Sequence, residues 1–248
     1  MSTPARTSER GRWRVEWFST LDSTNRHALD AARTGAPDGL VVVADEQTAG
    51  RGRLGRTWEA PPGSSLLVSV LLRRSGDPAR AAGHVVMAAG VALAEAVEDV
   101  AGVDAGLKWP NDLVVDDRKL AGLLAEADGD ALVVGAGCNV NWEEFPEELV
   151  ATATACNLEA GHLVDRDALL DAFLDRFATA LGAGDAVVDE YRARLATLGR
   201  SVRVEHVHDR DRDLVGTAVG ITDDGALVVR GEQGIDHPVV AADVHHLR

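Results

Sequence analysis

The sequence predicts an α+β fold followed by a small all-β module. Residues 13–198 alternate strand-like and helix-like segments, with runs that fit a mixed or antiparallel sheet covered by helices. Residues 199–248 instead contain four short Val-rich runs separated by turn signals, with almost no helical period. Residues 1–12 have basic residues but no apolar segment of a secretory signal, and we expect a flexible tail there. The predicted domains are therefore residues 13–198 and 199–248.

Local sequence signals predict the helices and strands of the first domain. Asp22 or Ser23 can cap a helix that Gly35 ends, and a β-branched run predicts a buried strand after it. Asp-Asp and Asp-Gly-Asp between the apolar runs of residues 106–142 are typical of hairpin turns. Beside these hairpins, strands are predicted at residues 14–20, 39–49 and 64–73, and helices at residues 21–36, 78–100, 166–181 and 186–198.

Composition excludes several classes of protein. The formal charge is -15, from 40 Asp plus Glu against 25 Lys plus Arg, which argues against a general nucleic-acid binder. A small anionic ligand is still allowed if positive potential is local. No uninterrupted apolar run reaches about 18 residues, so we expect no membrane span. Cys138 and Cys156 have neither disulfide-framework nor zinc spacing, and a reduced, cytoplasmic setting is the expectation.

Two glycine-rich segments are candidate ligand sites. Gly50–Trp58, "GRGRLGRTW", places three glycines and three arginines within eight residues. A phosphate-binding P-loop requires a helix that begins at the end of the loop. Prolines and a glycine follow this segment instead, so we expect no helix there. We interpret it as a flexible loop that wraps an anion, with a solvated basic turn as the alternative. In "GAGCNV", Gly135 and Gly137 leave one strand face bare, for a ligand or for a packing contact.

Four stretches together resemble the biotin protein ligases. They are "DSTN" (Asp22–Asn25), "DEQTAGRGRLGRTW" (Asp45–Trp58), "KWPND" (Lys108–Asp112) with "RKLAG" (Arg118–Gly122), and "GAGCNVN" (Gly135–Asn141). The resemblance covers about residues 13–198, and the terminal module is similar to that family's SH3-like barrel. It implies a ligase that activates biotin with ATP and Mg²⁺ to biotinyl-5′-AMP. Biotin is then transferred to one lysine of a biotin carboxyl carrier domain.

The resemblance also implies roles for individual residues. The implied catalytic residues are Lys119, Arg53, Arg51 and Asp112. The implied biotin contacts are Ser23, Thr24, Asn25, Gln47, Arg51, Gly52, Arg53, Lys119, Gly122 and Gly137. The implied ATP or adenylate contacts are Arg51, Arg53, Arg56, Trp58, Asn111, Lys119 and Asn139. A neutral ureido ring needs hydrogen-bond donors and acceptors, whereas a carboxylate meeting an α-phosphate needs positioned cations. Asp112 is assigned to Mg²⁺ or to the incoming lysine, which must lose a proton.

Some expectations concern partners and alternatives. Only about a dozen residues precede the first predicted strand, too few for the helix-turn-helix of the family's repressor members, so we expect a ligase that binds neither DNA nor membrane. A monomer and a weak homodimer both stay open. The alternatives are a lipoate–protein ligase, which would need a longer apolar tunnel, and a non-catalytic biotin or nucleotide sensor that would not need Lys119.

Overall fold

The computed structural model describes residues 2–73, 78–205, 213–240 and 242–247 of the chain. The strands are β1 Arg6–Arg10, β2 Trp13–Leu21, β3 Leu40–Gln47, β4 Ser65–Arg73, β5 Gly106–Lys108, β6 Asp112–Val115, β7 Arg118–Asp128, β8 Ala131–Asn139, β9 Ser201–Glu205, β10 Leu214–Ile221, β11 Leu227–Gly231, β12 Asp236–Val239 and β13 Asp243–His246. The helices are α1 Thr24–Arg33, α2 Pro78–Ala101, α3 Cys156–Ala160, α4 Arg166–Gly182 and α5 Ala186–Ala193. This order confirms the predicted fold class.

A mixed eight-stranded sheet forms the first layer. Its order is β1-β2-β3-β4-β8-β7-β6-β5, in which only β2 and β3 run parallel. Helix α1 packs on one face over β3, β4 and β8, while α2 covers the other face with α4 and α5 behind it. Because helices cover both faces of the sheet, the alternating side chains of β3 and β4 are buried on both sides along most of each strand.

Helix α1 shows how local sequence and packing agree. Ser23 is its N-cap, and its side chain accepts a hydrogen bond from the Arg26 amide, as one of the two predicted caps. The buried face then carries Ala28, Leu29 and Ala32 against the sheet. The same first turn buries Thr24 and Asn25, so the start of the helix places two polar side chains against the central strands of the sheet.

Helix α2 is the core helix of the domain. Among the described residues, its Ala81–Ala101 stretch is the one segment long and apolar enough to cross a membrane by length and composition, which the search for uninterrupted apolar runs missed. Most of that stretch is buried against the sheet and against α4 and α5. The burial is that of a helix in the centre of a globular domain.

A second, five-stranded antiparallel sheet follows, in the order β12-β11-β10-β9-β13. It confirms the predicted β module and has one strand more than the four Val-rich runs. Residues 206–212, which fall inside that module, lie outside the described residues. Strand β13 pairs with β9 and faces the first domain, where Asp243, Val244 and His245 reach the same cleft as the glycine–arginine loop.

Two predictions about elements were wrong. Residues 6–10 of the expected flexible tail form β1, which pairs antiparallel with β2, and Arg6 makes two hydrogen bonds to the carboxylate of Asp167 in α4. Helix α5 ends at Ala193 rather than at residue 198, because the Arg194 carbonyl and the Ala196 amide hydrogen-bond to the backbone of Leu107 in β5. Both differences come from pairing with distant segments.

Candidate active site

A cleft opens between the first sheet, the loop at residues 50–58 and strand β13. All but one of the predicted site residues line it: Ser23, Thr24, Asn25, Gln47, Arg51, Gly52, Arg53, Arg56, Trp58, Asn111, Asp112, Lys119, Gly122 and Gly137. Asn139 lies in the neighbouring pocket. The free volume of the cleft is about 210 Å³, below the ~300 Å³ at which sites for drug-sized ligands begin.

The glycine–arginine loop folds as a short hairpin. Arg51 bridges Thr57, the Gly52 amide donates to the Arg56 carbonyl at 2.7 Å, and the Trp58 amide donates to the Gly50 carbonyl at 3.0 Å. A Cβ on Gly50 would lie 2.2 Å from the Trp58 carbonyl oxygen, so only glycine fits there. No α-helix begins at the end of this loop, which agrees with the rejection of a P-loop.

Arg51, Arg56 and Lys119 each lie close to a carboxylate from another element. Arg51 Nη1 lies 2.9 Å from Glu126 Oε1, and Lys119 Nζ lies 2.8 Å from Asp112 Oδ1. Arg56 pairs with Asp243 of β13. The arrangement holds the cationic groups around one cleft, and an incoming anion would have to compete with these carboxylates.

Arg53 is the most enclosed of the loop arginines, with 20% of its side chain exposed. Its Nη1 donates to Asn111 Oδ1 at 3.2 Å and lies 4.0 Å from Asp243 Oδ1, and its Nη2 donates to the Ala242 carbonyl at 3.5 Å. Burial lowers the pKa of Arg53, and Asp243 opposes that shift. A buried guanidinium held by neutral acceptors on one side and a distant carboxylate on the other retains capacity to bind an anion.

The opposite end of the cleft is neutral and hydrogen-bonded. The Thr24 amide and Oγ1 donate to Gln47 Oε1 at 2.8 and 3.0 Å. Ser69 Oγ lies 2.7 Å from Thr24 Oγ1 and 2.6 Å from Asn25 Oδ1, and Asn25 Nδ2 donates to Glu126 Oε2 at 2.8 Å. The network holds the polar groups in fixed directions, as recognition of an uncharged polar ring requires.

Two residues that contact Asn25 from behind the cleft lining were not predicted from the sequence. Ser69 belongs to an apolar strand and Glu126 to the far end of β7, and neither stands in a recognisable motif. Glu126 is notable because it contacts both Asn25 at the neutral end and Arg51 of the loop. One carboxylate therefore connects the two ends of the cleft.

The glycines of β7 and β8 are spaces for side chains of this chain. A Cβ on Gly137 would lie 2.5 Å from Trp58 Cε2, and one on Gly135 would lie 2.2 Å from Asn25 Oδ1. A Cβ on Gly122 would approach Trp58 and Lys119 to 3.1 Å. Gly135 and Gly137 were expected to leave room either for a ligand or for a packing contact. The structure shows packing contacts, and the side chains that make them, Asn25 and Trp58, also line the cleft. Trp58 Nε1 is buried and has no hydrogen-bond partner among the described residues.

A second, more apolar pocket lies on the other side of Trp58. Asn139 is buried at its base and donates to the Thr154 carbonyl at 3.0 Å. Its wall is a stacked pair, Trp142 and Phe145, with ring centroids 4.3 Å apart. Leu149 and Thr152 complete the wall. Sequence reasoning missed these aromatic residues, although "NWEEF" directly follows the glycine strand and could have indicated them.

The chain offers little for a metal ion by itself. Among the described residues, no group of three or more His, Cys, Asp or Glu side chains is arranged to hold one. Asp112, the predicted Mg²⁺ contact, instead lies against Lys119. Mg²⁺ commonly uses one or two carboxylates together with substrate phosphates. The residues therefore fit Mg²⁺ only as part of a nucleotide complex, with Asp112 and Asp243 as the carboxylates that line the cleft.

Comparison with known proteins agrees with this site. Residues 17–141 match the model of the biotin/lipoate A/B protein ligase family, and residues 197–247 match the biotin protein ligase C-terminal domain. The biotin–[acetyl-CoA-carboxylase] ligase of Mycobacterium tuberculosis is 37% identical over 95% of this chain and 90% of its own. The ligase of Aquifex aeolicus in complex with biotin and ATP has a TM-score of 0.83 at 27% identity, covering 94% of this chain and 99% of its own. The Leishmania major ligase in complex with biotinyl-5-AMP has a TM-score of 0.62 at 25% identity, covering 92% and 98%.

Fold, cleft and matched regions together define an enzyme that joins a carboxylate to a protein amine. The chain belongs to the biotin/lipoate A/B protein ligase family, and its C-terminal match makes it a member of the biotin protein ligases.

Proposed function

We propose that this chain is an ATP-dependent biotin–protein ligase that forms biotinyl-5′-AMP and then transfers biotin to a lysine of a biotin carboxyl carrier domain. The family, the named relatives and the ligands of the solved structures support the reaction. The observation that carries it is the two-ended cleft, in which a neutral hydrogen-bonded end faces Lys119 and the loop arginines.

Biotin fits the cleft with its uncharged ring at the neutral end. The ureido group has two N–H donors and one carbonyl acceptor. Thr24 and Asn25 offer hydroxyl and amide groups there, already oriented by Ser69 and Gln47. The valeryl carboxylate would then extend toward Lys119. Ser23 caps α1 and holds the start of the helix, and through it Thr24 and Asn25, in place.

The first step brings two anions together. A carboxylate oxygen of biotin attacks the α-phosphorus of MgATP, a new acyl–phosphate bond forms, and the bond to the β-phosphate breaks to release pyrophosphate. Lys119, Arg51, Arg53 and Arg56 supply the positive charge that the attack needs. Losing one preorganised charge of this kind typically costs ~3–4 kcal/mol of transition-state stabilisation. Lys119 is the proposed principal catalytic residue because it is a compact charge at the junction of the two ends.

The adenine would enter the apolar pocket beyond Trp58. Stacked Trp142 and Phe145 offer flat apolar surface, and Asn139 lies at its base. Trp58 separates this pocket from the main cleft, and its unpartnered Nε1 can donate to a ligand there. Because the adenylate would join biotin in the cleft to an adenine beyond Trp58, which lines both pockets, we infer that Trp58 shifts when the substrates bind.

The second step is aminolysis. The amine of the acceptor lysine attacks the acyl carbonyl, an amide bond forms, and AMP leaves with the electrons of the acyl–phosphate bond. The incoming ammonium must first lose a proton, for which Asp112 is the proposed acceptor and Lys119 its orienting neighbour. Closure of residues 50–58 over the adenylate keeps water from hydrolysing the mixed anhydride.

Further parts of the proposal rest on the sequence and on the relatives' names. We propose a catalytic domain at residues 13–198, a C-terminal domain at residues 199–248, and a carboxylase carrier domain as the partner in the cytoplasm. The absence of DNA and membrane binding stays a prediction, as does the choice between monomer and weak homodimer. Pyrophosphate exchange with biotin against lipoate separates the lipoate alternative, and ligand binding without pyrophosphate release would indicate a sensor.

Intact-mass spectrometry of a purified carrier domain tests the reaction. The carrier is incubated with this chain, biotin and MgATP, and the expected result is the mass gain of one biotin on the carrier. The chain itself contains only two lysines, Lys108 and Lys119, so self-modification can be separated from transfer in the same spectrum. A carrier of unchanged mass, with biotin and ATP both consumed or both untouched, would refute the transfer.

A further inference from the structure

A chain of hydrogen bonds, buried at Thr197 and Trp109 and half exposed at Asp117, joins the C-terminal sheet to the catalytic domain. His246, at the end of β13, lies with Nδ1 3.0 Å from Asp117 Oδ1 and with Nε2 3.2 Å from Thr197 Oγ1. The Trp109 amide donates to the same Thr197 oxygen at 3.1 Å. Only 7% of the His246 side chain is exposed, and Thr197 is fully buried. We call Asp117, His246, Thr197 and Trp109 the inter-domain chain.

The order carboxylate, imidazole, hydroxyl resembles a nucleophilic triad, but it cannot act as one. Thr197 Oγ1 is inaccessible and already accepts the Trp109 amide, so no substrate atom can approach it. The contacts are satisfied by a neutral imidazole that donates from Nδ1 to Asp117 and accepts at Nε2 from the threonine hydroxyl. The inter-domain chain therefore fixes the positions of its four residues and transfers no proton.

Both ends of the inter-domain chain lead directly to the catalytic groups. Asp117 occupies the turn between β6 and β7 with φ of 64°, two residues before Lys119, and Arg200 also binds its carboxylate at 2.7 and 2.9 Å. Trp109 begins the segment that continues to Asn111 and Asp112. Since Asn111 holds Arg53 and Asp112 contacts Lys119, one imidazole supports both partners of the catalytic ion pair.

We propose that His246 is a positioning residue of the ligase reaction, through which the C-terminal domain sets the orientation of Lys119 and Asp112. This inference rests on the proposed function. It assigns to β13 a contribution distinct from that of Asp243, which contacts the loop arginines at the other end of the same strand.

The test compares variants of the full chain in ATP–pyrophosphate exchange. A displacement of about 1 Å at a reacting group can cost ~10²-fold in rate. His246→Ala is therefore expected to lower kcat for adenylation by about 10- to 100-fold while the KM for biotin changes by less than about threefold. The hydrogen bonds described for Thr24, Asn25 and Gln47 do not involve the inter-domain chain. His246→Gln, whose amide can donate and accept, should recover part of the rate. His237→Ala, an exposed histidine on β12 of the same sheet, is the matched control.

A double-mutant cycle distinguishes positioning from general loss of structure. His246→Ala and Asp117→Ala break the same contact, so the double variant should be little slower than the slower single variant. Multiplying effects, or kcat equal to the wild type in folded His246→Ala, would overturn the proposal. Thermal unfolding identifies a variant that fails to fold, and His246→Gln then carries the comparison. Absence of exchange in the wild-type chain would instead refute the proposed function itself.

Discussion

Alanine at Gly137 tests whether Trp58 sets the geometry between the two pockets. Gly137 has no positive φ, so the backbone of β8 accepts alanine. The substitution therefore acts on the neighbouring side chain of Trp58. The new Cβ would lie 2.5 Å from Trp58 Cε2 and 2.8 Å from Nε1. Ordinary carbon contacts begin near ~3.4 Å, so the indole must move by about 0.9 Å, the difference between 3.4 and 2.5 Å.

A shift of that size should act on the adenylation step. Misplacement by about 1 Å can cost ~10²-fold in rate, and we expect Gly137→Ala to lower kcat/KM for ATP by about 10- to 100-fold. Biotin affinity should stay within about threefold, because Trp58 makes no hydrogen bond to the neutral end among the described residues. The assays are pyrophosphate exchange at varied ATP and calorimetric titration with biotin.

Gly135→Ala, two residues away on the same strand, is expected to affect biotin binding rather than the use of ATP. Its Cβ would lie 2.2 Å from Asn25 Oδ1, so the amide must leave its contacts with Ser69 and Glu126. Biotin binding should weaken most, and such overpacking typically costs ~1–3 kcal/mol of stability. Gly220→Ala is the control, because nothing lies within 4 Å of that position. Equal kinetic profiles for the two strand variants, or wild-type exchange in Gly137→Ala, would refute the reasoning.

Three shorter predictions concern charge, closure and acid stability. Lys119→Ala should bind biotin within about tenfold of the wild type but lose at least ~10²-fold in pyrophosphate exchange; unchanged turnover removes Lys119 from the mechanism. Trypsin should cleave within residues 50–57 of the free chain and be blocked by biotin plus ATP, and equal cleavage would contradict closure. Burial lowers the pKa of His246 and His27 below 6.5, so the unfolded chain binds more protons and Tm should fall as the pH drops below about 6.5. The double variant His27→Gln/His246→Gln should reduce the dependence of Tm on pH. An unchanged dependence would contradict the assignment to these two histidines.

The sequence predicted elements wherever local pattern and packing agree. Ser23 before α1 and the apolar runs of β3 and β4 are strong local signals. Strand β1 was missed because "RTSER" carries no apolar alternation; its order comes from pairing with β2, from Arg6 stacking 3.7 Å over Trp17, and from the Arg6 contact with Asp167. Helix α3 has only five residues and buries Cys156 alone, too little for a periodic pattern.

The same distinction applies to the candidate site. Motifs contiguous in sequence predicted the loop, Lys119 and the glycine strands, and the structure brings these residues into one cleft. Asp243, which lines the cleft, and Ser69 and Glu126, which contact residues lining it, escaped prediction because each lies on a different strand. No spacing along the chain records such a meeting. Asp243 even comes from the second sheet. Their functional roles stay proposals that the variants above test.

The carboxylates around the cleft resolve a tension in the sequence. Residues 50–58 concentrate cations in an acidic chain and contain no carboxylate, yet Arg51 and Arg56 are each paired, with Glu126 and Asp243. Because Arg51 and Arg56 are 45% and 65% exposed, such pairs are worth only ~0–1 kcal/mol each. A Mg²⁺-bound triphosphate can therefore displace them at little cost. Stronger, buried pairs would lock the arginines away from the substrate, and no pairs would leave the loop without a defined position. Weak ion pairs with carboxylates of distant strands thus keep the arginines near the cleft without fixing the loop, and release them to the phosphate on binding.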